Sequence, residues 1–284
     1  MFEDQAAGLR STGQQRPVRT IAITGGKGGV GKTSVSVNLG VALSKMGERV
    51  CLLDADMSMA NVDVLLGLRA PYNLSHVLDG THGLKEVMIE GPGGMKIIPG
   101  SSGVRRMANL SSIENAGLIQ AFSELADDID VLLIDTAAGI SESVLSFCRA
   151  AMEVLVVVCD EPASITDAYA LIKVLNREYG VSKVRIVANM AQSPSHAMAL
   201  FDKIANVCER FLDVQVSYAG PVPFDPSLRM AIQQQTSVVL SKPFSPSGKA
   251  LSMLAREVMR WPVPMGPSGY LQFFVERLVQ SGIR

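Results

Sequence analysis

The chain has 284 residues, 48% of them apolar and 19% charged, a balance that excludes a disordered protein and suffices for one large, well-buried α/β core. A formal net charge of −1 gives no general attraction to nucleic acid or anionic lipid, so any such contact must come from a local patch. Cys51, Cys148, Cys159 and Cys208 lie far apart, with no C-x-x-C pair and no clustered histidine, which argues for reduced, apolar-packed thiols over zinc or disulfides.

The first nineteen residues are polar and lack an apolar h-region, so no signal peptide is expected and a cytoplasmic location is. Residues 1–18 divide into a short, mildly amphipathic opening, "DQAAGLR" at 4–10, and a Ser/Gly/Gln/Pro linker at 11–18. A main domain over 19–260 follows. Its apolar runs "TIAIT" (20–24), "RVCLLD" (49–54), "MKIIPG" (95–100), "VLLID" (131–135), "VLVVVCD" (154–160), "VRIVAN" (184–189) and "VSYAGPVP" (216–223) read as strands. Segments of helical period, such as 34–46, 141–151, 164–179 and 196–211, alternate with them. Continuous rather than alternating apolar strands predict an α/β, three-layer fold, its mostly parallel doubly wound sheet covered by helices on both faces. The longest run, "VLVVVC", is too short to span a bilayer.

Between the first strand and the first helix lies "GGKGGVGKTS" (25–34), the context a phosphate-binding loop requires. Gly26, Gly28 and Gly31 fit G-x-G-x-x-G, and Asp54 stands where a dinucleotide fold places its ribose-binding acid. Gly26, Lys27, Gly28, Gly29, Val30, Gly31, Lys32 and Thr33 also fit G-x-x-x-x-G-K-T. Lys32, Thr33 and the following Ser34 put an ammonium and hydroxyls at the helix start. A triphosphate with Mg²⁺ needs them there and a pyrophosphate bridge does not, so the P-loop reading is preferred. Asp135, ending "VLLID", is the matching Walker B acid.

Lys27 is a second lysine, early in the loop, placed to point away from its own nucleotide. The run K-G-G-x-G-K-T at 27–33 resembles the deviant Walker A ATPases of the MinD/ParA family, and this P-loop NTPase likeness extends over about 19–260. The resemblance implies an ATP-bound homodimer in which two subunits sandwich two ATP molecules and Lys27 reaches across the interface. It further implies that Lys27, Lys32 and Asp56 are catalytic, Asp56 orienting water, and that Thr33, Asp56 and Asp135 form the Mg²⁺ environment. Asn189 and the loop Pro223–Phe224–Asp225 are implied to bind adenine, and Glu161 to touch the partner's nucleotide. Asp54 has a structural alternative. No arginine finger or glutamate base stands out, so turnover is expected to be slow, below about 1 s⁻¹.

Near the C-terminus "WPVPMGPSG" (261–269) cannot continue a helix and reads as a linker. Beyond it Leu271, Phe274, Val275, Leu278 and Val279 share one helical face. Periodicity alone leaves that face equally suited to the chain's own core or to lipid. The family resemblance favours reading 261–284 as a linker followed by a membrane-targeting helix, bound firmly only in two copies on a dimer, which implies an ATP-bound protein peripheral on the inner face of the cell membrane, with the cell pole as a candidate location. No Lys/Arg stripe stands out, and no direct nucleic-acid binding is expected.

Asp4, Gln5, Ala6, Leu9 and Arg10 match a D-Q-A-x-x-L-R motif, and with the C-terminal segment they resemble the flagellar-number regulators, FlhG or FleN, within the family. That likeness implies stimulation of an FlhF-type GTPase by the N-terminal peptide, and action of the ATPase body on a flagellar transcriptional activator or on C-ring proteins. The alternatives are a division-site MinD and a nucleotide-gated binding module with negligible hydrolysis.

Overall fold

A computed structural model describes residues 17–56, 62–100, 112–263 and 271–280. In chain order it contains β1 (Arg19–Thr24), α1 (Lys32–Lys45), β2 (Val50–Ala55), α2 (Val62–Leu66), α3 (Leu74–Leu78), α4 (Leu84–Val87), β3 (Ile89–Glu90), β4 (Lys96–Ile98), α5 (Ser112–Leu125), β5 (Val131–Thr136) and α6 (Glu142–Ala150). Then come β6 (Glu153–Val158), α7 (Pro162–Tyr179), β7 (Lys183–Ala191), α8 (Pro194–Phe211), β8 (Gln215–Pro223), α9 (Pro226–Gln233), α10 (Val238–Ser241), α11 (Pro246–Arg260) and α12 (Leu271–Gln280).

The eight strands form one sheet in the order β3-β4-β2-β5-β1-β6-β7-β8. All described pairs are parallel except β3 with β4, where a two-residue edge strand turns back antiparallel. Side chains of successive strand residues leave on opposite faces, and both faces are apolar. Ile21 and Ile23 of β1 join a core with α1 and α11, while Ala22 joins a second core with α6 and α7. That double burial is why the strands read as unbroken apolar runs. The expected α/β, doubly wound, mostly parallel architecture is the observed one.

β1 sits centrally between β5 and β6, with Ile23 level with Asp135. Asp54 on β2 is in turn level with Asp135. The loop after β1 and both aspartates therefore meet at the carboxyl ends of neighbouring strands, where open parallel sheets bind ligands.

The C-terminal helix does not present its apolar face to solvent. Phe274, Val275 and Leu278 are buried in the core shared with α5 and α6. Expected to be a detachable, lipid-facing segment, α12 is here a docked one; a helix's period reports which face is apolar, not what covers it. The side chains of Leu271 and Val279 lie outside the described residues, as do Asp4, Gln5, Ala6, Leu9 and Arg10. No helix among the described residues is long and apolar enough to cross a membrane.

Candidate nucleotide site

Two glycines give the loop its shape. Gly29 and Gly31 have φ of +80° and +91°, the left-handed region that favours glycine. At Gly31 a Cβ would also meet Asn189 Nδ2 at 2.4 Å, so this position is closed to a side chain on two grounds. At Gly26 the loop lies against the backbone of α7, where a Cβ would fall 2.2 Å from the Asp167 carbonyl carbon. Gly28 has open space around its Cα, and Val30 is buried beneath the loop.

The two loop lysines have different surroundings. Lys32 begins α1 and is 8% exposed, with Nζ 3.4 Å from the Lys27 carbonyl. Burial lowers its pKa, and Asp135 and Asp56 oppose that shift by favouring the charged form. Lys27 is only partly buried, its side chain 41% exposed, with Nζ donating to Glu161 Oε2 at 2.8 Å. Its pKa is raised by that carboxylate. Glu161, read from sequence as a contact to the partner's nucleotide, thus pairs with Lys27 of its own chain.

Asp135 is wholly buried and accepts from Ser36 Oγ at 2.8 Å on Oδ1. Desolvation raises its pKa to about 7, against the pull of Thr33, Ser36 and Lys32. Its Oδ2 and the hydroxyl of Ser34 are buried with no hydrogen-bond partner among the described residues. Such groups cost about 1–3 kcal/mol each, so their presence fits a site completed by Mg²⁺ and phosphate oxygens. Thr33 stands half-buried beside them.

Asp54 accepts from the Asp56 amide at 3.1 Å and from the Val62 amide at 3.3 Å. It bridges the two ends of the segment 57–61, which favours the structural reading over a ribose contact. Asp56 is half-buried at the end of β2. Asn189 is buried at the end of β7, where its amide nitrogen donates one hydrogen to the Val30 carbonyl at 2.7 Å and its Oδ1 has no hydrogen-bond partner among the described residues. Pro223 ends β8, Phe224 is exposed, and the Phe224 amide donates to the Ala191 carbonyl at 3.0 Å. Asp225 is held by other groups, accepting from the Ser227 amide and from the amide and hydroxyl of Ser247. Burial opposes its charge, but those donors win and hold it down at about 2. Its side chain caps α9 and anchors α11.

Sequence reasoning passed over Asp160 and His196, which lie 2.7 Å apart beside Glu161. No motif marks them, and only the neighbouring positions of β6 and β7 bring them together.

A glycine loop between a central parallel strand and a helix, with a buried lysine and a Walker B aspartate on the next strand, defines a P-loop NTPase, and the early second lysine marks its deviant Walker A class. The family profile described as "ParA: NUBPL iron-transfer P-loop NTPase" matches residues 17–259. Among the described residues no group of three or more His, Cys, Asp or Glu could hold a metal. The antiactivator FleN of Pseudomonas aeruginosa is 54% identical over 96% of this chain and 97% of its own. The flagellum site-determining protein YlxH of Helicobacter pylori is 32% identical, covering 76% of this chain and 73% of its own. The septum site-determining protein MinD from Pyrococcus horikoshii, solved with Mg-ADP, superposes with a TM-score of 0.66 at 26% identity, covering 86% of this chain and 96% of that one. The chain belongs to the MinD/ParA family of P-loop NTPases. Within it, the chain is FleN-like.

Proposed function

We propose that this protein is a slow, ATP-dependent dimerising ATPase that sets flagellar number and placement. The observation that carries the reading is the contrast between the two loop lysines, Lys32 buried at the start of α1 and Lys27 partly open to solvent on Glu161. The loop amides at 26–33 cradle the phosphates, and Lys32 neutralises their charge where water is excluded. Thr33 and Asp135, with Asp56 nearby, would hold Mg²⁺, which supplies further charge neutralisation at the β and γ oxygens when bound. Asp56 orients the attacking water. Lys27 exchanges Glu161 for a phosphate of the facing subunit, an easy exchange because a solvent-exposed pair is weak. Asn189 Oδ1 and the 223–225 loop take the base.

The flagellar role is supported by 54% identity, along almost the whole chain, to a protein named for antiactivation. On this reading the body restrains a flagellar transcriptional activator or engages C-ring proteins. Asp4, Gln5, Ala6, Leu9 and Arg10 stimulate an FlhF-type GTPase. After leaving its docked position, α12 binds the cytoplasmic face of the membrane through Leu271, Phe274, Val275, Leu278 and Val279. Two measurements test the proposal together. Asp56→Ala should form a persistent dimer with ATP and Mg²⁺ in size-exclusion chromatography while losing single-turnover hydrolysis. Deleting the gene should raise flagellar number. A deletion that displaces the division septum and leaves flagella unchanged would favour a division-site MinD instead.

A further inference from the structure

The ends of β6 and β7 are tied to one another by one imidazole. The Gln192 amide donates to His196 Nδ1 at 3.1 Å, and His196 Nε2 lies 2.7 Å from Asp160 Oδ2. With Nδ1 accepting, the ring proton sits on Nε2 and is donated to the carboxylate. Lys203 Nζ donates to the other oxygen of Asp160 at 2.9 Å. Both oxygens of Asp160 are therefore held by α8.

The sequence neighbours of these groups face the nucleotide site. Glu161, next to Asp160, receives Lys27; Asn189, three residues before Gln192, donates to the carbonyl of Val30. The result is a closed circuit, from the loop at Val30 through Asn189, Gln192, His196, Asp160 and Glu161 back to the loop at Lys27. We propose that His196 is a positioning residue for nucleotide recognition. It fixes the β6–α7 turn against the β7–α8 turn, so that Asn189 Oδ1 is held toward the purine edge while Glu161 holds Lys27. The inference rests on the reading of residues 25–34 as an ATP site.

Stability is not the purpose of this contact. His196 and Asp160 have side chains 28% and 31% exposed, and pairs so open to water contribute little to folding. Geometry is what the link supplies. An acceptor held at the purine edge matches the amino group of adenine and not the carbonyl of guanine, so base discrimination should report the clamp.

The test uses the full chain and three variants, titrated with fluorescent ATP and GTP analogues in Mg²⁺. His196→Gln keeps a donor where Nε2 stood and so retains the link to Asp160; His196→Asn keeps only an acceptor for the Gln192 amide; His196→Ala keeps neither. The ratio of ATP to GTP affinity is expected to fall about fivefold in the Ala and Asn variants and to stay within about twofold of wild type in Gln, as losing one hydrogen bond's worth of orientation implies. Melting temperatures should stay within about 2 °C. An Asn variant that keeps the wild-type ratio, or a Gln variant that loses as much as Ala, would overturn the clamp. A wild-type protein that does not bind ATP would instead refute the site reading beneath it.

Discussion

Replacing Phe274 with alanine should free the C-terminal helix while leaving the ATPase body folded. The phenylalanine is 2% exposed and, with Val275 and Leu278, supplies the buried face of α12 against α5 and α6. Truncating a buried phenylalanine to alanine costs about 3–5 kcal/mol. A ten-residue helix has little stability of its own once its packing is gone, so most of that cost should appear as local opening rather than as global unfolding. At about 1.4 kcal/mol per decade, the opening equilibrium should rise on the order of 10²–10³-fold. Amide hydrogen exchange read by mass spectrometry measures this directly: protection across 271–280 should fall by that factor, with peptides from β1 and β5 unchanged. Unaltered exchange in 271–280 would refute the reasoning, because Phe274 would then not hold the helix. Equal loss of protection in the central strands would refute it too, because the helix would be inseparable from the global core.

Lys32→Ala should abolish hydrolysis by removing the buried cation, whereas Lys27→Ala should still bind ATP but lose dimerisation and turnover; parental turnover in Lys27→Ala, measured by phosphate release, would remove the cross-subunit role. Asp225 has a folded pKa of about 2, below its ordinary value, so its stabilising effect is complete above about pH 4 and is lost as pH falls toward 2. Asp225→Ala should therefore cost about 1–2 kcal/mol in denaturant melts at pH 7, and the gap from wild type should narrow as the pH approaches 2. A peptide of residues 1–18 should stimulate an FlhF-type GTPase, and Gln5→Ala should lose most of that stimulation without changing ATP hydrolysis by the full protein; equal stimulation by both peptides would take Gln5 out of the mechanism.

The sheet was legible because burial on both faces leaves a parallel strand apolar in an unbroken run, as in "VLVVVC" at 154–159, and the shortness of such runs separates them from the longer helical segments between. β3 escaped notice for the opposite reason, since two residues are too few to show any period. The loop at 25–34 announced itself because phosphate binding needs glycines, a lysine and a hydroxyl at fixed local spacing. What surrounds it did not. The partner of Lys27 lies 134 residues away, and that of His196 lies 36 residues away. Those pairs exist only because the strand order places β6 beside β1 and β7 beside β6. Asn189 shows the intermediate case, its place at a strand end being readable and the direction of its amide, toward Val30, not.

The docked helix and the phosphate loop are separated by very little chain. The Gly139 amide donates to the Gly25 carbonyl at 3.1 Å, and Thr136 Oγ1 donates to the Ile23 carbonyl at 3.1 Å, so the segment after β5 is fastened to β1 and the loop that follows it. Gly139 itself has φ of +92°, so the turn depends on a residue that tolerates that conformation. Three residues later Glu142 begins α6, whose Val144 and Phe147 share a core with Phe274. A helix moves as a unit, and α6 carries the nucleotide-facing turn at one end and part of the floor beneath α12 along its side. A displacement of the turn at Gly139 would therefore reach the docking face through α6. By linkage, a nucleotide state that loosened α12 would in turn be favoured by its undocking.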